Sequence, residues 1–347
     1  MTNFVFDNIN LFNKYFQIHE TLKYNINKSH FFLDNHCLHL LKNSKKESYR
    51  KIYINYIKHK TIFTREDNYL NDFGILKNCF VESNGIIVYN NKFLINGGCL
   101  WKKSEIKLPN NKNITKYSNV ISIACKWGSE IWHFPYEAFV ALKMIPNDIL
   151  KMCKIHVTKK TKYIIEWLNL MNINQSQIIE GKIIVENLYI PRMGKCGNPY
   201  YSQILWIKDI ICKNLITNYK LEYVILIKRN KKRILKNHNE IKDEIQLFCD
   251  NNGFKLYIHD DSKLPSLEEQ HIMFSKAKYV FAPHGAGGIN IPAMRKESWY
   301  IELLDNNDIN FCYSRLCNLL DINYIGLSMD NYHINIEKIK YIYKEIC

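Results

Sequence analysis

From Leu221 onward the chain alternates short apolar runs with helical patterns, and this alternation restricts the fold more than any other feature. Leu221–Ile227, Phe254–Ile258, Lys278–Ala282, Trp299–Leu304 and Ile322–Leu327 are expected to be strands. Between the first two, Glu240–Cys249 puts Ile241, Ile245 and Phe248 on one helical face, and Gly253 is placed to stop the helix. Ser266 and Glu269 are spaced as a capping box for the next helix. Asp308 is placed to cap another that runs through Leu320. Strands that alternate with helices need right-handed crossovers and form a parallel sheet. Ligands of such sheets bind beyond the carboxyl ends of the strands. Arg229, His284 and Glu302 all fall at expected strand ends.

One strand end carries the run His284-Gly285-Ala286-Gly287-Gly288-Ile289-Asn290. Its small residues let a diphosphate approach the backbone, and its amides lead into a helix start at Ile291-Pro292. His284 and Asn290 add side-chain donors at the two edges of the loop. A glycine-rich loop alone is equally a tight turn, so the residues around it decide the reading. Arg229 provides a planar fork for phosphate oxygens. Arg233 stands in the same basic turn, where Lys231 and Lys232 crowd it.

These residues, taken in order, resemble glycosyltransferase family 61, the group that includes plant xylan glycosyltransferases and animal O-linked N-acetylglucosaminyltransferases. That family shows a glutamine in a helix, a strand, the loop H-G-A-G-x-x-N, and a strand ending in E-L. Here Gln270, His284 to Asn290 and Glu302-Leu303 fill those places, and Ile227 to Asn237 resembles the family's arginine-bearing strand end. The resemblance is firm from Leu221 to Leu304, thinner from Phe73 to Pro199, and absent from the first 70 residues.

The resemblance implies an α/β fold of GT-B type, with two Rossmann-like domains facing a cleft. It further implies an inverting, metal-independent transfer from a UDP-linked or other nucleotide-diphosphate sugar to a hydroxyl of a glycan or glycoprotein, with no cofactor besides that co-substrate. The expected donor-binding residues are Arg229, Arg233, Gln270, His284, Gly285, Ala286, Gly287, Asn290 and Glu302, with Glu302 accepting bonds from the ribose. Breaking the anomeric bond builds negative charge on the leaving diphosphate. The chain has no Asp-x-Asp motif to hold a neutralising metal, so fixed donors are expected to serve instead.

Before Leu221 the pattern is less regular. Ile86–Ile95 reads as a hairpin around Asn90-Asn91. Val120–Ala124, Ile155–Val157 and Lys182–Ile190 read as strands, and Ile131–Met144 and Thr161–Asn172 as helices. The segment Ile131 to Phe139 resembles the family's H-x-x-x-[DE] element, with His133 and Glu137 as the expected catalytic pair. Spacing of four puts two side chains on one helical face, although Pro135 places His133 at the helix entry. Glu137 is the favoured base or acceptor anchor and His133 the close second. Trp132, Phe134 and Phe139 read as core, as do Trp101 and Trp127. The turn-rich run Met193 to Pro199 reads as a linker. It divides an acceptor-side domain, 1–198, from a nucleotide-sugar domain, 199–330, and leaves 331–347 as a helix crossing back to the first domain.

Composition narrows the remaining classes. The net charge of +15 fits a basic cleft for an anionic ligand as well as a merely lysine-rich proteome, and the lysines form no long block of the nucleic-acid-binding kind. Eleven cysteines without C-x-x-C pairs suggest reduced thiols and no zinc site. No charged-then-apolar leader and no bilayer-length apolar run occur, so the expected location is cytoplasmic, or host cytoplasm for a viral enzyme. A serine hydrolase would need a G-x-S-x-G elbow, which is absent. A non-catalytic nucleotide-sugar or glycan-binding protein of the same fold stays open.

Overall fold

The computed structural model describes residues 19–23, 31–43, 50, 66–70, 73–90, 92–96, 114–197, 199–213, 215, 220–307 and 309–346. In chain order the strands are β1 (His19–Lys23), β2 (Phe31–Leu33), β3 (Glu66–Leu70), β4 (Phe73–Val81), β5 (Ile86–Tyr89), β6 (Lys92–Ile95), β7 (Thr115–Ser122) and β8 (Lys154–His156), then β9 (Ile178–Ile179), β10 (Ile183–Pro191), β11 (Tyr223–Lys228), β12 (Lys255–Asp260), β13 (Ala277–Pro283), β14 (Trp299–Asp305) and β15 (Asn323–Met329). They fall into two compact units. Unit 1 holds the described residues within Met1–Lys23 and Glu66–Ile210, and unit 2 those within Tyr24–Arg65 and Ile211–Cys347.

The sheet of unit 2 has the order β12-β11-β13-β14-β15-β2, and every neighbouring pair is parallel. The five expected strands are all present, within a residue or two of their expected bounds. Every residue of β15 is buried, and all of β13 but Lys278, as a sheet covered on both faces requires. Val224, Leu226, Phe281, Ile301, Leu303 and Ile325 form its core with Ile241, Ile245 and Phe248 of the helix His238–Asn252. Full burial of each such side chain is worth about 1.5–3 kcal/mol. Gly253 ends that helix in the left-handed conformation, and Ser266 with Glu269 completes the capping box of the helix Leu267–Ser275. Asp308 lies outside the described residues; the helix that follows it is Cys312–Leu319.

Chain order and sheet order diverge between β11 and β13. From β11 the chain steps outward to β12, then returns to β13 on the other side of β11 and continues through β14 and β15. This is a topological switch point, where the loops after two adjacent strands diverge and leave a crevice.

Unit 1 carries a mixed sheet, β6-β5-β4-β10-β7-β8-β9. The hairpin at Asn90 is present, with Tyr89 opposite Lys92 and Asn90 at φ 48°. From β10 to β9 the strands run parallel. Here too the chain reverses direction: β7, β8 and β9 step one way, and β10 returns beside β7. The second switch point therefore lies between β7 and β10. In β4 the alternation of burial breaks near Asn78, which sits at φ 53°, and this irregularity hides the strand from a period-two reading.

The division of the chain differs from a cut at Asn198. The boundary falls between Ile210 and Ile211, within the helix Tyr201–Lys213. The expected linker packs inside unit 1, where the Gly194 amide donates to the Glu137 carbonyl at 2.8 Å. The early segment joins unit 2 through β2. There Asp34 caps the helix Asn35–Lys42 and accepts bonds from the Ser328 amide, the Ser328 hydroxyl and Lys338 Nζ. The tail helix Ile336–Ile346 packs within unit 2, with Ile339 and Ile342 in its core and Tyr343 stacked on Phe248 at 4.1 Å. No helix among the described residues is long and apolar enough to cross a membrane.

The cysteines also depart from expectation. Eight described cysteines are free, but Cys196 is in a disulfide whose other half lies outside the described residues.

Three buried histidines make stability dependent on pH. Burial lowers His156 and His259 to about 4 and His271 to about 3. The unfolded chain takes up these protons near pH 6.5, and the folded chain does not. Stability should therefore fall as pH drops from about 6.5 toward 4, by up to about 1.4 kcal/mol per pH unit for each histidine. Urea midpoints measured at pH 7, 6 and 5 should decline stepwise. A constant midpoint across that window would contradict the burial of these rings.

Candidate active site

At the unit 2 switch point, β11 delivers Lys228, Arg229 and Asn230, and β13 delivers His284 and the small-residue loop. Two aspartates at the end of β12 hold the end of β11. Asn230 donates from its amide to Asp261 at 2.9 Å and from its side chain to Asp260 at 2.6 Å. Lys228 Nζ lies 3.2 Å from Asp260, and Arg229 Nε 3.4 Å from Asp261. Bonds from Ser262, with help from Lys228 and Asn230, hold the Asp260 carboxyl well below the usual carboxylate range. Asp260 and Asp261, too closely spaced for a metal motif, thus steady the arginine-bearing turn.

Arg229 lies against Gly285. A Cβ on Gly285 would fall 1.4 Å from Arg229 Nη1, so only glycine leaves room for the guanidinium. Nε and Nη1 of Arg229 are buried and make no hydrogen bond, despite the charge of Asp261 nearby. Two buried donors of a permanent cation, left unbonded, form a site that an oxyanion satisfies. Gly287 and Gly288 are also crowded: a Cβ on the first would lie 2.6 Å from Ile227, and on the second 2.5 Å from Tyr313 and 2.7 Å from the Tyr300 hydroxyl. From Ala286 to Ala293 the loop is a 3-10 helix.

Behind the loop lies a buried relay. His284 Nδ1 is 2.6 Å from Glu302 Oε1, and the Tyr324 hydroxyl donates to Glu302 Oε2 at 2.7 Å. The His284 ring packs 5.1 Å from Tyr313. Glu302 is fully buried, with both carboxylate oxygens engaged. Burial, reinforced by Glu302, drives the Tyr324 phenol far up, so it remains a donor. Gln270 is buried in the helix Leu267–Ser275 and accepts from the Asn290 side chain at 3.1 Å, which ties that helix to the loop. Asn290 also donates to the Gly287 carbonyl, and its buried Oδ1 has no partner. Arg233 sits half-buried at φ 56°, close enough to influence Cys312 electrostatically.

Unit 1 holds the other expected pair beside its own switch point. After β7 the chain turns through Trp127 and enters a π-helix, Phe134–Ala138, with His133 at its N-cap position and Pro135 in its first turn. Proline is tolerated there because the first amides of a helix have no intrahelical partner. His133 thus occupies the helix entry, and the pair shares one face: His133 Nδ1 and Glu137 Oε1 are 2.7 Å apart. Glu137 is completely buried, whereas the His133 side chain is 24% exposed. The helix is pinned from the far side by Gly194, on which a Cβ would meet the Tyr136 carbonyl at 2.2 Å.

His133, Glu137 and Cys196 bring possible ligand atoms within 4.8 Å of one another. Cys196 is in a disulfide, and a disulfide sulfur is not the thiolate that a metal takes up.

Phe134 and Phe139 are core as expected, and Trp132 is half-buried against Tyr136. Trp127 is not core: it is 50% exposed. Trp101 lies outside the described residues. Sequence reasoning missed the support given by Asp261, Tyr313 and Tyr324, and the contact of Gly194 with the Glu137 helix. The adjacent acids at the end of β12 were the one visible signal.

The Glycosyltransferase 61 family model matches residues 131–301. Over these residues the chain is similar to glycosyltransferase family 61. The matched segment begins two residues before His133 and ends one residue before Glu302, so it spans the His133–Glu137 pair, Arg229, Gln270 and the glycine loop. This similarity suggests glycosyltransferase activity. No curated protein matches the chain.

Proposed function

We propose that the chain is an inverting, metal-independent glycosyltransferase of GT-B type, whose unit 2 binds a nucleotide-diphosphate sugar, UDP-linked, and whose unit 1 serves the acceptor hydroxyl. The observation that carries this reading is Arg229, whose buried Nε and Nη1 lack hydrogen-bond partners while its guanidinium lies on Gly285 at a switch point. A diphosphate matches those donors in charge and reach. Arg233, His284 and the amides from Gly285 to Gly287 supply further donors. Gln270 and Asn290 hold the loop in shape. Glu302 orients His284 from behind.

In the proposed step the acceptor hydroxyl oxygen attacks the anomeric carbon as the bond to the diphosphate breaks. The bonding pair leaves with the diphosphate, and Arg229 and the loop donors stabilise the charge. The acceptor proton passes to His133. Exposure favours His133 over Glu137 as the group that meets the acceptor, because Glu137 is fully buried. Glu137 then fixes the ring orientation and stabilises the imidazolium, as a carboxylate behind a histidine does. One displacement inverts the anomeric carbon.

The test is transfer from a panel of nucleotide sugars to oligosaccharide acceptors, with and without excess EDTA. Turnover is expected with at least one donor, to be unaffected by chelation, and to give inverted product. Activity lost to EDTA and restored by manganese would contradict the leaving-group chemistry. Retained configuration would contradict the single displacement.

A further inference from the structure

The loop between β7 and the His133 helix presents Trp127 in a way that packing does not explain. A tryptophan normally buries its large apolar surface, and this one is 50% exposed. Its backbone is left-handed, at φ 66°, a conformation that a bulky residue adopts only where the surroundings impose it. The surrounding turn enforces it. The Cys125 amide donates to the Thr158 hydroxyl at 3.0 Å, and that hydroxyl donates back to the Cys125 carbonyl at 3.0 Å. The Trp127 carbonyl accepts from the Glu130 amide at 2.8 Å. Gly128 packs so tightly on this turn that a Cβ would lie 2.5 Å from Thr158 Oγ1. The indole held there is 6.5 Å from the His133 ring, with the Lys126 ammonium 5.5 Å from its centroid.

We infer that Trp127 is a platform for a pyranose ring of the acceptor, which makes the acceptor a glycan rather than a bare peptide. This rests on the proposed transferase reading. One face of a pyranose carries several axial C–H bonds and is apolar, while its rim carries hydroxyls. The negative face of an indole attracts those slightly positive hydrogens and covers apolar surface. The Lys126 ammonium stands over the ring rather than at its edge, so the sugar takes the opposite face. With the sugar on Trp127, a hydroxyl at its rim lies within reach of the exposed edge of His133. The rigid turn holds the platform at one distance from the base, and positioning of this kind raises the rate by orienting the nucleophile.

The experiment compares wild type, Trp127→Ala and Trp127→Phe as full-length chains. Melting temperature and nucleoside-diphosphate affinity, the latter a property of unit 2, confirm that each variant is folded. Saturation-transfer NMR with oligosaccharides and with unglycosylated peptides reads acceptor binding directly, and initial rates give KM and kcat. Trp127→Ala is expected to raise the KM for glycan acceptors by about tenfold or more, with donor KM unchanged, and to abolish the sugar C–H saturation signal. Trp127→Phe should keep most of both. An acceptor KM equal in wild type and Trp127→Ala overturns the platform and leaves the transferase reading standing. So does a KM rise confined to peptide acceptors. If no nucleotide sugar supports transfer, the transferase reading fails, and a Trp127-dependent saturation signal from glycans still supports the platform.

Discussion

His133→Ala should lower turnover by on the order of a hundredfold or more while leaving nucleoside-diphosphate affinity unchanged. The imidazole is the exposed member of a hydrogen-bonded pair whose other member is sealed from solvent. A hydroxyl attacking the anomeric carbon must lose its proton as the new bond forms, and without a base that proton has no acceptor. Glu137→Gln should cost a comparable factor by another route. The amide keeps the shape of the carboxylate but removes the charge that stabilises a protonated ring, and it can turn an N–H toward Nδ1. Its signature should be a displaced pH–rate profile for kcat as well as a lower plateau. Initial-rate kinetics across pH, with calorimetric titration of nucleoside diphosphate as the control, separate the two roles. Full activity in both variants would remove the pair from the mechanism.

Gly285→Ala should abolish most donor affinity with little loss of fold stability. The added methyl would overlap Arg229 Nη1 at 1.4 Å and Cζ at 2.6 Å, so the guanidinium must leave its place. An arginine end can swing away, so the damage falls on the phosphate contact rather than on the core. A charge-assisted hydrogen bond is worth about 1.5–3 kcal/mol, which corresponds to roughly a tenfold or larger loss. Arg229→Ala should lose a similar factor. The double variant should lose little more than either single one, because both changes remove the same contact. Additive losses would show that Gly285 acts apart from Arg229.

The nucleotide side was legible in the sequence because its parts are local. A strand end, a run of small residues and a capped helix each announce themselves within a few residues, and their order implies the parallel sheet. What could not be read was support from a distance. Tyr324 reaches Glu302 from a neighbouring strand, Asp261 reaches Arg229 from across β11, and β2 joins the sheet from a segment far upstream. None of these contacts leaves a periodic trace. Glu302 stands at the expected strand end, but strand position does not tell which way its carboxylate is enclosed, here between His284 and Tyr324. Trp127 was assigned to the core on residue type alone. Its exposure depends on the left-handed turn that Cys125, Thr158 and Gly128 hold, and one residue's φ is invisible in a hydropathy pattern. The turn residues of Met193 to Pro199 read as a linker, whereas Gly194 is there because the Glu137 helix leaves no room for a Cβ.

In the proposed reaction the switch point between β11 and β13 binds the diphosphate of a sugar donor. Calorimetric titration of the full chain with UDP and the other nucleoside diphosphates, without divalent metal, tests it most directly. Saturable binding of at least one nucleoside diphosphate at a single site is expected, weakened tenfold or more by Arg229→Ala and unchanged by His133→Ala. Absence of binding to every nucleoside diphosphate, or an affinity that Arg229→Ala leaves intact, would contradict it.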